Sequence, residues 1–129
     1  MKKKLRVLFL ASEMVPFAKT GGLADVAGAL PLALEKKGVD VRVAIPKYKC
    51  LYDQDDRATI GEKITVYFIR NDRLFKRDGI YGDSSGDFQD NAERFSVFCQ
   101  EVLSLVKKER FAPDIIHCND WHTALVPVY

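Results

Sequence analysis

Lys19-Thr20-Gly21-Gly22-Leu23-Ala24-Asp25-Val26 joins a lysine and a doubled glycine to the start of an amphipathic run. A glycine pair at a helix start leaves no Cβ in the way of a ligand and presents a row of backbone N–H groups, with Lys19 as a nearby positive charge. That combination suits a phosphate or diphosphate. The spacing is neither the G-x-G-x-x-G of a dinucleotide fold nor the G-x-x-x-x-G-K-[ST] of a nucleotide triphosphatase. A tight turn beside a solvated lysine satisfies the same residues. Asp25 falls in the first helical turn, where a carboxylate favours the helix dipole by ~0.3–1 kcal/mol without any ligand. At a cleft mouth it would also accept hydrogen bonds from a polyhydroxylated molecule.

The second cluster is His117-Cys118-Asn119-Asp120-Trp121-His122. Its histidines straddle a strand-to-helix turn, so their rings need not converge, and no further ligand group accompanies them; a metal site is not expected. A helix cap by Asp120, core packing by Trp121 and a polar cleft wall facing a sugar all remain open. Glu13 either faces the same cleft or ends its strand as a buried carboxylate bonded to backbone N–H groups. Ser12 lacks the G-x-S-x-G elbow of a nucleophile. Asp53, Asp55 and Asp56 lack the glycine and distal glutamate of a calcium loop and read as a solvated face.

The elements that must position these residues emerge from hydrophobic periodicity. Leu5 to Ala11 reads as a strand covered on both faces. Leu23, Val26, Ala27, Leu30 and Leu34 recur at helical spacing, Lys36-Lys37-Gly38 ends the helix, and Pro31 predicts a kink near Ala27 and Gly28. Val39 to Ile45 is a second strand, completing a right-handed βαβ unit. Lys47 to Gly61 reads as a surface loop, Lys63 to Ile69 as a third strand and Asn71 to Asp90 as an irregular excursion around Tyr81. Ala92 to Lys108 carries a helix face of Phe95, Phe98, Val102, Leu105 and Val106. Asp114 to Cys118 is a short strand, and Asn119 or Asp120 caps a final helix toward Tyr129. Alternating β and α elements predict an α/β fold, a Rossmann-like open, mostly parallel sheet with helices on both faces and ligands at the carboxyl ends of its strands.

Composition bounds the function. The chain has 129 residues, 47% hydrophobic and 29% charged, with a net charge of only +2 and no basic stripe interleaved with aromatics, so no nucleic-acid partner is expected. No apolar stretch approaches the ~20 residues of a membrane span, and the short run after Lys2 to Lys4 is broken by Arg6 and ends at Glu13 rather than at a cleavage site. Three widely spaced cysteines (Cys50, Cys99 and Cys118) fit a reduced, cytoplasmic protein.

Ser12 to Val26 strongly resembles the amino terminus of bacterial glycogen synthases and plastid starch synthases. Tyr81-Gly82-Asp83 leading to Phe88-Gln89-Asp90-Asn91-Ala92-Glu93-Arg94-Phe95, and His117 to Leu125, match the same family in the same order. The resemblance implies residues 1–129 as an incomplete amino-terminal domain of a GT-B glycosyltransferase, with the second domain absent and expected across the cleft. It implies transfer of glucose from ADP-glucose to the non-reducing end of an α-1,4-glucan with retention of configuration, and no metal or cofactor. Lys19, Gly21 and Gly22 match positions beside the donor's diphosphate and glucose. Asp25 and Asp120 match the reaction-centre carboxylates, suited to hydroxyl recognition rather than hydrolase-style acid and base roles. Tyr81 and His122 match substrate-binding positions. The chain alone is expected to be inactive. Alternatives are another GT-B transferase using a UDP-sugar, or a non-catalytic nucleotide- or glucan-binding module.

Overall fold

The computed structural model describes residues 2–129. Its main sheet has five strands: β1 (Arg6–Leu10), β2 (Asp40–Pro46), β3 (Arg57–Ile60), β4 (Ile64–Ile69) and β7 (Ile115–Cys118), in the order β3-β4-β2-β1-β7. All pairings are parallel except β3 with β4. Between β4 and β7 lie a single-turn helix α2 (Asp72–Phe75), a two-stranded ribbon of β5 (Gly82–Asp83) and β6 (Gly86–Asp87), and the long helix α3 (Asn91–Lys108). Helix α1 (Gly22–Lys36) links β1 to β2.

The apolar run of β1 is explained by its two covered faces. Leu8 and Leu10 pack with Phe95, Phe98 and Val102 of α3, whereas Phe9 and Ala11 pack with Ala27, Leu30 and Leu34 of α1. Strand residues alternate between faces, so a strand buried on both must be apolar throughout. Strand β4 obeys the same rule: Ile64, Val66 and Phe68 belong to the α1 side, Tyr67 and Ile69 to the α3 side.

Helix α1 runs continuously from Gly22 to Lys36 with Pro31 buried inside it. Two expectations are corrected. The segment from Lys47 to Gly61 is not simply a loop. It holds a 3-10 turn (Lys49–Leu51) and β3, whose Ala58 and Ile60 are half-buried between exposed Arg57 and Thr59. That segment is fastened from inside. The buried Lys47 ammonium donates to the Gln54 carbonyl (2.7 Å) and to Asp56 (2.8 Å), and Tyr48 donates to the Ser12 carbonyl (2.6 Å). Asp56 is therefore an ion-pair partner rather than only a solvated group. Beyond Cys118 the chain forms two 3-10 turns, Trp121–Thr123 and Val126–Val128, instead of one helix. The Thr123 hydroxyl folds back onto the Asn119 and Asp120 carbonyls, tightening the turn, and Pro127 offers no N–H to continue it.

Candidate functional site

The carboxyl ends of β1 and β7 lie side by side, and the segments leaving them build the two walls of an open cleft of about 440 Å³. Its lining includes Glu13, Thr20, Gly21, Gly22, Leu23, Tyr81, Asn91, Asp120, Trp121 and His122.

Glu13 organises the first wall. Its carboxylate is only 2% exposed and accepts from Gly21 N–H (3.1 Å) on one oxygen. The other oxygen accepts from Thr20 N–H (3.1 Å), the Thr20 hydroxyl (2.5 Å) and the Tyr81 hydroxyl (3.2 Å). Of the two readings left open for Glu13, both hold: it is a buried, strand-end carboxylate and it faces the cleft. The loop it tethers closes on itself through reciprocal Met14–Ala18 backbone bonds (2.9 Å each) and hooks onto α1 through Val15 N–H to the Ala24 carbonyl (3.0 Å). Gly28 makes that approach possible, because a Cβ there would collide with the Val15 side chain.

The glycine pair therefore differs from the expected open row of donors. Thr20 and Gly21 N–H groups are occupied by Glu13, leaving Gly22 and Leu23 as the first-turn N–H groups of α1 with no acceptor among the described residues. Neither glycine is required by backbone conformation: Gly21 is extended (φ −158°), and a Cβ on Gly22 would meet nothing within 4 Å. The missing side chains keep space open in front of the helix N-terminus, where N–H groups and dipole favour an anion. Lys19 is not free. Its ammonium lies 2.8 and 2.9 Å from the two Asp25 oxygens, both side chains about half exposed and outside the cleft lining.

The second wall is set by Asn119, whose N–H (3.2 Å) and side-chain amide (2.8 Å) both donate to the Leu10 carbonyl at the end of β1. The next residue, Asp120, has φ 63° and ψ −177°, a conformation nearly confined to glycine that costs another residue ~1–3 kcal/mol. The Asp120 carboxylate caps the next turn by accepting from Trp121 N–H (2.7 Å). A strained carboxylate at a cleft is where such a cost is commonly tolerated for function.

His122 and Tyr81 join the two walls. Their rings stack with centroids 4.8 Å apart and planes at 22°, while Phe95 (4.9 Å) and Trp121 (3.9 Å) enclose the rest of the imidazole. His122 is 5% exposed, and its Nδ1 has no hydrogen-bond partner among the described residues. Burial holds its pKa below the ordinary 6.5, opposed by the negative charges of Asp120 and Glu13, so the neutral ring is favoured. The Tyr81 hydroxyl shares a 2.6 Å hydrogen bond with Ser12, and burial pushes its pKa far up, keeping it a neutral donor or acceptor.

Five predicted site residues (Gly21, Gly22, Tyr81, Asp120 and His122) thus meet in one cleft, and Lys19 and Asp25 stand beside it as a pair. Trp121 is half exposed rather than a core residue. Sequence reasoning gave no role to Thr20, Ser12, Asn91 or Arg94. The i, i+3 pair of amide and guanidinium at the start of a helix was the available signal for the last two. Among the described residues no three His, Cys, Asp or Glu side chains converge as a metal site, and no helix is long and apolar enough to cross a membrane.

Comparison with known proteins gives a consistent picture. The profile of the starch synthase catalytic domain matches residues 6–129. A glycogen synthase of Geotalea daltonii is 42% identical over 150 aligned residues, covering 96% of this chain and 30% of the relative. A glycogen synthase of Anoxybacillus flavithermus is 45% identical, covering 95% and 29%. Among solved structures, the catalytic domain of starch synthase IV from Arabidopsis thaliana, bound to ADP and acarbose, superposes with a TM-score of 0.78 at 35% identity, covering 96% of this chain and 29% of that one. The chain spans about 30% of the length of the curated relatives it matches.

Proposed function

The chain belongs to the starch synthase catalytic domain family, and from that premise we propose that it forms one wall of a retaining glucosyl-transfer site using ADP-glucose and an α-1,4-glucan. In this reading residues 1–129 are the amino-terminal part of a GT-B enzyme's first domain. The cleft faces a second domain, and the working protein is cytoplasmic. Three free cysteines and no disulfide among the described residues suit a reducing compartment.

The observation that carries the reading is the convergence, in one cleft, of an anion-ready helix start with a polar, partly aromatic wall. Breaking the glucose–diphosphate bond builds negative charge on the leaving ADP. The free Gly22 and Leu23 N–H groups, the α1 dipole and Lys19 stabilise that charge more in the transition state than in the ground state. Asp120 supplies an acceptor for sugar hydroxyls, Asp25 does so once released from Lys19, and the Tyr81 ring, its hydroxyl held on Glu13 and Ser12, forms the wall with neutral His122 behind it. This division leaves Asp25 and Asp120 as orienting carboxylates with no proton to shuttle.

Residue-resolved NMR titration tests this on the chain itself. ADP-glucose is expected to shift the amides of Lys19, Gly22 and Leu23, and maltotetraose those of Tyr81, Asp120 and His122. If neither ligand at saturating concentration moves these signals, the reading fails. The isolated chain is expected to transfer no glucose, and label incorporation into glucan by it would overturn the assignment of the remaining machinery to a second domain.

A further inference from the structure

Tyr81 does essential geometric work, yet it sits in the least regular part of the fold, between a single-turn helix and a ribbon of two-residue strands. It is fixed from the first turn of α3. The Arg94 guanidinium is fully buried, and among the described residues no carboxylate is bonded to it. Its Nε donates to the Leu74 carbonyl (2.7 Å). Its Nη1 donates both to the Ile80 carbonyl (2.9 Å) and to Asn91 Oδ1 (2.8 Å). Asn91 Nδ2 in turn donates to the Tyr81 carbonyl (2.9 Å), which also accepts from Phe88 N–H (3.0 Å). The carbonyls of Ile80 and Tyr81, one on each side of the Tyr81 Cα, are thus held by two side chains that are bonded to each other.

We propose that Asn91 and Arg94 are positioning residues that fix the Tyr81 ring over His122 and its hydroxyl on Ser12 and Glu13, and thereby shape the glucan-facing wall. The inference rests on the proposed glucan site for its ligand but not for its geometry. The chemistry is specific to the residue types. Asparagine must accept with one atom and donate with the other, and only a planar guanidinium reaches the two carbonyls and that oxygen at once. Burying an arginine without a carboxylate is costly, and its Nη2 finds no partner among the described residues, so stability alone would favour an aspartate at position 91. A carboxylate there would pair with Arg94 and suit the α3 N-terminus, but it could not donate to the Tyr81 carbonyl.

Asn91→Asp separates positioning from folding. The variant is expected to melt at or above the wild-type temperature. In alkaline buffer, where His122 is neutral, its His122 ring-proton NMR shifts should move toward those of a Tyr81→Leu reference as the stacked ring departs. Maltotetraose affinity should fall about fivefold, as for loss of one net hydrogen bond's worth of preorganisation. Unchanged His122 shifts overturn the proposal, and so does a variant that melts well below wild type, since the carboxylate would then be incompatible with Arg94. If wild-type chain binds no maltotetraose, the glucan reading fails by itself and the ring-proton shifts still decide the positioning role.

Discussion

Replacing Glu13 by glutamine changes one atom's type and no volume, so its effect can be worked from hydrogen bonds alone. Each Glu13 oxygen accepts from a backbone N–H, Gly21 on one side and Thr20 on the other. Hydroxyls of Thr20 and Tyr81 can rotate to become acceptors, but backbone N–H groups cannot. Whichever way the amide turns, its NH2 faces one of these backbone donors, and the remaining oxygen has lost its charge. A hydrogen bond to a charged acceptor contributes ~1.5–3 kcal/mol, and one unmet, part-buried N–H adds up to ~1 kcal/mol, giving about 2–4 kcal/mol for Glu13→Gln. At 2% exposure the side chain at position 13 has little solvent to turn to. At about 3–4 °C per kcal/mol for a domain of this size, the melting temperature should fall by about 6–16 °C. Thermal unfolding by circular dichroism measures that fall. Amide exchange locates it, because Thr20 and Gly21 should lose protection while the β2 and β4 amides keep theirs. A variant within about 0.5 kcal/mol of wild type, the range of an ordinary surface change, would refute the claim that this carboxylate holds the glycine turn. So would exchange that rises uniformly.

Three further outcomes rest on the same geometry. Because His122 is buried with its pKa depressed below 6.5, the unfolded chain binds the proton more readily; stability is fully present above about pH 6.5 and is lost as pH falls toward the folded-state value, a slope that denaturant melts should show in wild type and not in His122→Phe. Gly28→Ala gains up to ~1 kcal/mol of helix propensity but drives a methyl into Val15, so urea unfolding should show a net loss of about 1–2 kcal/mol rather than a gain. Lys19→Ala removes only a half-exposed ion pair and should cost no more than ~1 kcal/mol of stability, while weakening ADP-glucose binding at the Gly22 and Leu23 amides about tenfold.

The sequence made strands and long helices legible wherever burial on two faces or one face left a period. Leu5 to Ala11 and Phe95 to Val106 are such cases, and they lie where expected. It hid β3 because a four-residue edge strand alternates too briefly, and because its fastening by Lys47 depends on burial that no pattern encodes. It hid the 3-10 turns after Cys118 because Thr123 and Pro127 act through local hydrogen bonding. In the site, residue types announced chemistry but not allegiance. The doubled glycine was visible as an anion-ready turn. That Glu13 would occupy two of its N–H groups, and Asp25 the lysine, depends on distances across the fold. Asn91 and Arg94 showed only their i, i+3 spacing at a helix start, because the carbonyls they hold are groups that every sequence contains.

These occupancies bear on how the cleft would work. An anion arriving at α1 would meet two N–H groups, of Gly22 and Leu23, that have no acceptor among the described residues, with the buried Glu13 carboxylate behind the turn. Glu13 therefore makes the turn rigid and limits anion affinity, since its charge opposes a phosphate unless that phosphate stays forward of Gly22, where a Cβ would have met only open space. Lys19 completes the grip only by leaving Asp25. That exchange is cheap, because a half-exposed pair contributes ~0–1 kcal/mol and a diphosphate offers the ammonium more charge than one carboxylate does. Releasing Asp25 as Lys19 turns toward the anion frees a carboxylate for sugar hydroxyls. Under the proposed function, donor binding and sugar recognition would then be coupled through this one ion pair, and removing it by Asp25→Asn should loosen that coupling: ADP-glucose would bind at least as tightly as in wild type, and maltotetraose affinity would no longer rise when the nucleotide sugar is present. Maltotetraose titrations with and without ADP-glucose measure this, and an undiminished rise in the variant would break the argument.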